Sequence, residues 1–100
     1  MSLTITTTSF TLAPATATLI LAADSTRQSL LRATTGANPA VWKFGATGPV
    51  SATDGLILDS TTAAGARVQL SGAAVPIDAV WAYSTLGTTV AVEVGKTSGF

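Results

Sequence analysis

Three short clusters hold residue types from which a chemical site could be built. Gly95-Lys96-Thr97 has the form in which a phosphate-binding loop ends, but that loop needs a glycine five residues earlier and Val90 stands there. Asp54 and Asp59 flank Leu56-Ile57-Leu58. Calcium takes about six to eight oxygen ligands, and two isolated carboxylates do not supply them. Asp54 therefore reads as half of an Asp-Gly turn and Asp59 as a strand end, while Asp24, Asp78 and Glu93 are scattered and read as turn or solvated residues. Serine and threonine abound, yet the sequence has no histidine and no cysteine. Nothing in it is arranged to activate a hydroxyl or to ligate a transition metal. Catalysis, a cofactor and a metal centre are not expected.

Trp42 and Trp81 form the third cluster. Flat aromatic rings stack on sugar rings, so a carbohydrate-binding module is one reading. The other is that Trp42 and Phe44, with Trp81 and Tyr83, are core or interface anchors on strands, since large aromatics carry much of the energy of cores and interfaces. Lys43, between Trp42 and Phe44, would then point to a wet side.

Composition narrows the partners. Five basic and five acidic residues leave no net charge, and only 10% of the residues are charged, well below the usual share of about 25%. Nucleic acid demands a basic stripe, so it is not an expected partner. A surface so poor in charge suits contact with other proteins better than contact with water. Leu12–Ala23 is apolar with Ala-x-Ala patterns, but no lysine or arginine precedes it, Arg27 being the first. A secretory leader is not expected, and the stretch is too short for a bilayer, which takes about 20 apolar residues.

The elements around these residues are short runs of alternating hydrophobicity, rich in Thr, Val and Ile and separated by turn formers. They predict strands over Met1–Leu12, Ala15–Ala22, Gln28–Thr34, Ala40–Gly45, Leu56–Leu58, Ala66–Leu70, Ile77–Thr85 and Thr88–Val94. Ser25-x-x-Gln28 has capping-box form, and Arg27–Ala33 could be a short helix ended by Gly36. The strand is preferred there, because the neighbouring runs are strands and need a partner. The expected fold is all-β, a single antiparallel sandwich or flattened barrel over residues 15–100, with residues 1–14 as an N-terminal arm or edge strand.

Leu86-Gly87-Thr88 predicts a tight hairpin between the last two strands. In a hairpin, Trp81 and Tyr83 share a face with Val90, Val92 and Val94, while Val80, Ala82, Ala91 and Glu93 share the other. The face with the two aromatics is the expected core.

Asp24–Leu31 (DSTRQSLL), Val41–Gly45, Pro49–Leu58 ending in Asp-Gly-Leu-Ile-Leu, Val80-Trp81-Ala82-Tyr83 and Thr88–Val92 follow in that order. Together they resemble the small β-domains of tailed-phage virion proteins, above all capsid decoration (cement) proteins and related head-fibre or tail-appendage domains. The composition is similar too: Ala, Thr, Ser and Gly make up roughly half the chain. The resemblance implies a non-enzymatic structural protein on the outside of the phage head, made in the host cytoplasm and bound to the major capsid protein or other virion proteins. A tail, baseplate or head-fibre component is the alternative within that class. It also implies self-association, most plausibly as a trimer, and a partner site that exists only on the assembled shell.

Overall fold

The computed structural model describes residues 3–51, 53–59, 67–71 and 75–97. Eight strands run in order: β1 (Leu3–Leu12), β2 (Thr18–Leu21), β3 (Arg27–Thr34), β4 (Ala40–Phe44), β5 (Leu56–Leu58), β6 (Arg67–Ser71), β7 (Val80–Tyr83) and β8 (Thr88–Thr97). Arg27–Thr34 is strand, not helix. Met1 and Ala66, the first residues of two expected strands, lie outside the described residues.

The strands make two four-stranded sheets, in the order β1-β8-β3-β6 and β2-β7-β4-β5. The named strands pair antiparallel: β1 with β8, β2 with β7, β3 with β6 and β4 with β5. This is the pairing of one long hairpin whose tip is the β4–β5 turn. Rolling that hairpin up brings β3 against β8 and β4 against β7. The result is a jelly roll, an antiparallel sandwich in which both sheets bury one face against the other. The chain changes sheet at every connection except β4–β5.

The core lies between the sheets. Leu30, Val90, Val92 and Val94 face it from the first sheet, and Ile20, Trp42, Leu58, Val80 and Ala82 from the second. Trp42 and Ala82 are cross-strand partners on the same inner face. The indole fills that space, so β7 can contribute only small side chains there, and Ala82 is fully buried.

The last two strands depart from the sequence expectation. β7 belongs to the second sheet and β8 to the first, so Ser84–Gly87 crosses the sandwich instead of closing a hairpin. The rule that opposed neighbours share a face applies only to paired strands. Val80 and Ala82 consequently look inward at Val90 and Val92, while Trp81 and Tyr83 lie half-buried on the outer face. The crossing is fixed by Gly87, whose φ of 83° is left-handed and where an added Cβ would stand 3.0 Å from the Leu12 carbonyl oxygen. Asn38 Nδ2 donates to the Gly87 carbonyl at 2.8 Å and ties the β3–β4 loop to it.

Buried arginine closes one end. The Arg27 guanidinium donates to the carbonyls of Ala22, Pro76 and Asp78, joining the β2–β3 and β6–β7 connections. Burial lowers its pKa, with Asp24 and Asp78 opposing that shift.

Candidate interaction surfaces

Among the described residues, two surfaces of this sandwich are left uncovered in the fold. The first is the free edge of β1. This strand is ten residues long and none of them is charged. Its inner-face positions Thr4, Thr6 and Thr8 stand opposite Lys96, Val94 and Val92 on β8. β2, across the sandwich, is only four residues long and shifts register between Leu19 and Leu21. The second sheet therefore fails to cover the beginning of β1. Thr4 through Ser9 are exposed on both faces, Ile5 to 52%, and a cleft of about 300 Å³ opens between the three threonines and the end of β2.

Charges at the mouth of this cleft are already engaged. Lys96 forms an ion pair with Asp24, which also accepts from the backbone N–H and hydroxyl of Thr26. These bonds, that from Lys96 foremost, hold the Asp24 carboxyl well below the usual carboxylate range. Lys96 is the lysine of the phosphate-loop-like triplet. It lies within β8, in a strand pairing and an ion pair, and not in a loop leading to a helix.

The second surface is the outer face of the second sheet. Leu19 stands opposite Trp81, Trp81 opposite Lys43, Tyr83 opposite Val41, and Val41 opposite Ile57. Lys43 is the one charged residue among these six, and it is engaged by Asp54 at 3.0 Å. The Trp81 indole N–H donates to the Gly45 carbonyl at 3.0 Å. Gly48 of the same β4–β5 loop sits so close to that ring that an added Cβ would stand 2.8 Å from its Cε3. The loop covers Trp81 and leaves the Tyr83 end open. There, Tyr83, Val41, Ile57, Pro39 and Leu86 line a shallow depression of about 390 Å³. Ile57 is 51% and Leu86 70% exposed, apolar surface that ordinary solvent contact does not reward.

The four aromatic residues expected as core or interface anchors fall into two pairs. Trp42 and Phe44 point inward. Trp42 is 1% exposed, with its N–H directed to the Thr34 hydroxyl at 3.4 Å, so its ring is no platform for a sugar. Phe44 lies beneath the buried Arg32 guanidinium, 4.7 Å from carbon to ring centre. Arg32 Nε has no hydrogen-bond partner, and burial lowers the arginine's pKa. Trp81 and Tyr83 point outward on the second surface. The exposed Ile57 and Leu86 were not foreseen as surface features. The charge-free run of β1 was a visible signal for the edge. Nothing local marks Ile57, which sits in an apolar triplet whose two outer members look the same.

Asp54, considered as a calcium ligand, instead accepts from Lys43 Nζ and the Val50 N–H, and both bonds lower its pKa, that from Lys43 more. Among the described residues, no group of three or more acidic, histidine or cysteine side chains could hold a metal ion.

No known protein-family profile matches the chain, and no curated protein matches it. A solved structure described as "Bacillus endospore appendages form a novel family of disulfide-linked pili" does superpose, with a TM-score of 0.53 over 96% of this chain and 87% of that one. The two share 14% sequence identity, which establishes a common fold and nothing finer. The chain is an all-β, two-sheet antiparallel domain of the kind found in that appendage protein.

Proposed function

We propose that this chain is a non-catalytic structural subunit of a tailed-phage virion, a decoration protein on the outside of the head that binds the assembled shell and stabilises it. The observation that carries the reading is the pairing of a long, charge-free, unprotected strand edge with an apolar outer sheet face on a domain of no net charge. Both features lack a use in a solitary soluble protein. Free edges are normally blunted by charge, proline or shortness, and apolar patches are normally kept small. Both gain a use when other protein surfaces cover them.

A ligand that recognises only the assembled lattice stabilises it by mass action. Contacts to several lattice neighbours multiply modest interfaces into high avidity. The order of turns and apolar runs, which resembles that of virion β-domains, supports a place in a virion, with a tail, baseplate or head-fibre component as the alternative to the head. The protein should sediment with mature shells and not with unassembled capsid subunits. Shells depleted of it should break at lower temperature or in low salt, where repulsion within the packaged DNA is less screened. Equal affinity for free subunits and shells, or unchanged robustness of depleted shells, would overturn the reading. Antibody labelling at the tail tip would move the protein to the tail or baseplate.

A second reading, subunit of a filamentous appendage, is favoured by the likeness to the pilus protein. That protein is described as disulfide-linked, and this sequence has no cysteine. A filament of this chain would have to be held without disulfides between these residues. Electron microscopy of the concentrated protein separates the two: filaments from the isolated chain support the second reading.

A further inference from the structure

We infer that two copies of this chain join through their β1 edges, antiparallel about a two-fold axis centred on Thr6, to make a continuous eight-stranded sheet. The inference deepens the assembly reading by naming one contact and its partner, a second copy of the chain.

Length selects the partner. The other three sheet edges are β2, β5 and β6, of four, three and five residues. Over the described residues each is shorter than the Leu3–Ser9 segment, and β2 is interrupted by its register shift. Among the described residues, only another β1 matches β1 in length. The edge strand also lacks the residues that usually block such pairing: Leu3–Leu12 contains no proline, no lysine and no other charge.

Symmetry then fixes the register. Alternate residues of an edge strand turn their N–H and C=O outward, and residues directly opposed in an antiparallel pair must be of the same kind. A two-fold self-pairing therefore needs a residue, not a peptide bond, at its centre. Thr4 through Ser9 is the stretch exposed on both faces, and Phe10 is where the second sheet begins to cover β1. Centring on Thr6 keeps the paired segment within residues 3–9 and sets Thr4 against the partner's Thr8 and Ile5 against the partner's Thr7. It forms on the order of six to eight backbone hydrogen bonds, depending on which alternate set faces out.

Side chains permit the join. Directly opposed residues lie on the same face, so the inner threonines of both copies form one ladder of hydroxyl and methyl groups, a favourable cross-strand combination. The cleft beside Thr4, Thr6 and Thr8 leaves that inner side open. Glu93, the acid bonded to Thr7 on the outer side, is one strand inward. The two copies of Glu93 would thus stand about three strand spacings apart, roughly 14 Å, beyond the screening length of about 8 Å in physiological salt. The contact is self-complementary and closes at two copies, whereas a three-fold arrangement would need two different patches.

The test is a charge-swap at the axis, read by sedimentation equilibrium of the intact 10.0 kDa chain. The wild type should show a reversible dimer. Thr6→Lys and Thr6→Glu, each placing like charges face to face, should each raise the dimer dissociation constant at least tenfold. An equal mixture of the two should restore it, while circular dichroism shows each variant folded. The restoration distinguishes edge pairing from simple damage to β1. A wild type that is monomeric throughout, or variants that dimerise as it does, would overturn the inference. A monomer that still binds shells would do so while leaving the assembly reading intact.

Discussion

Lys43 and Trp81 stand directly opposite each other on β4 and β7, and both are tied to the same loop. Trp81 donates its indole N–H to Gly45 at the start of the loop, and Lys43 grips Asp54 near its end. The Asp54 carboxylate also receives the Val50 N–H, so one side chain closes the loop on itself and onto the sheet.

This arrangement predicts how the loop responds to acid. The pKa of Asp54 is lowered in the folded protein, chiefly by Lys43. A carboxylate with a depressed folded pKa stabilises the fold above its unfolded value, about 3.9, and that contribution is lost as pH falls through the folded value. The Trp81 indole N–H resonance should hold its position from neutral pH down to about pH 4 and move only below it. Asp54→Asn should give the acid-like position at neutral pH. An indole resonance that titrates near neutrality would show that another group controls the loop.

The two tryptophans should differ in their weight. Trp42 is enclosed in the core, so Trp42→Ala should cost about 3–5 kcal/mol, as for other large buried aromatics. Trp81, half-buried under Gly48, should cost roughly half as much. Urea unfolding of both variants measures this, and a larger loss at Trp81 than at Trp42 would contradict the assignment of inner and outer faces.

Among the described residues, Arg32 is a buried cation with no carboxylate beside it, held over Phe44 and lacking a partner at Nε. Desolvating a charge costs more than a single ring contact returns, so replacing it with a similar apolar volume should not hurt. Arg32→Met is expected to leave stability unchanged or raise it by about 1–2 kcal/mol. A loss above about 1 kcal/mol in thermal or urea unfolding would mean that Arg32 makes a needed contact.

The strands were legible and their neighbours were not. Alternation along Ala40–Phe44 or Thr88–Val94 depends on one buried face, and a jelly roll preserves that in every strand. Which strand lies beside which depends on the roll, and no local residue records it. Leu86-Gly87-Thr88 has the composition of a hairpin turn because a left-handed glycine serves a crossing between sheets equally well. The two aromatics of Val80–Tyr83 suggested the buried face by size. The true inner positions are small because Trp42, on the neighbouring strand, already occupies the space beside Ala82. Trp42, expected as a core or interface anchor, is 1% exposed. The uncovered inner face at the beginning of β1 follows from the shortness of β2 across the sandwich, a property of the pair that neither segment carries alone.

The proposed role, in which the chain is built into the outside of a phage particle, is tested most directly by the protein content of gradient-purified particles from the source culture. Quantitative mass spectrometry should find the chain banding with intact heads, in a fixed ratio to the major capsid protein, and released when the heads are dissociated. A chain that stays wholly in the soluble fraction, with none in the particle band, would contradict the claim.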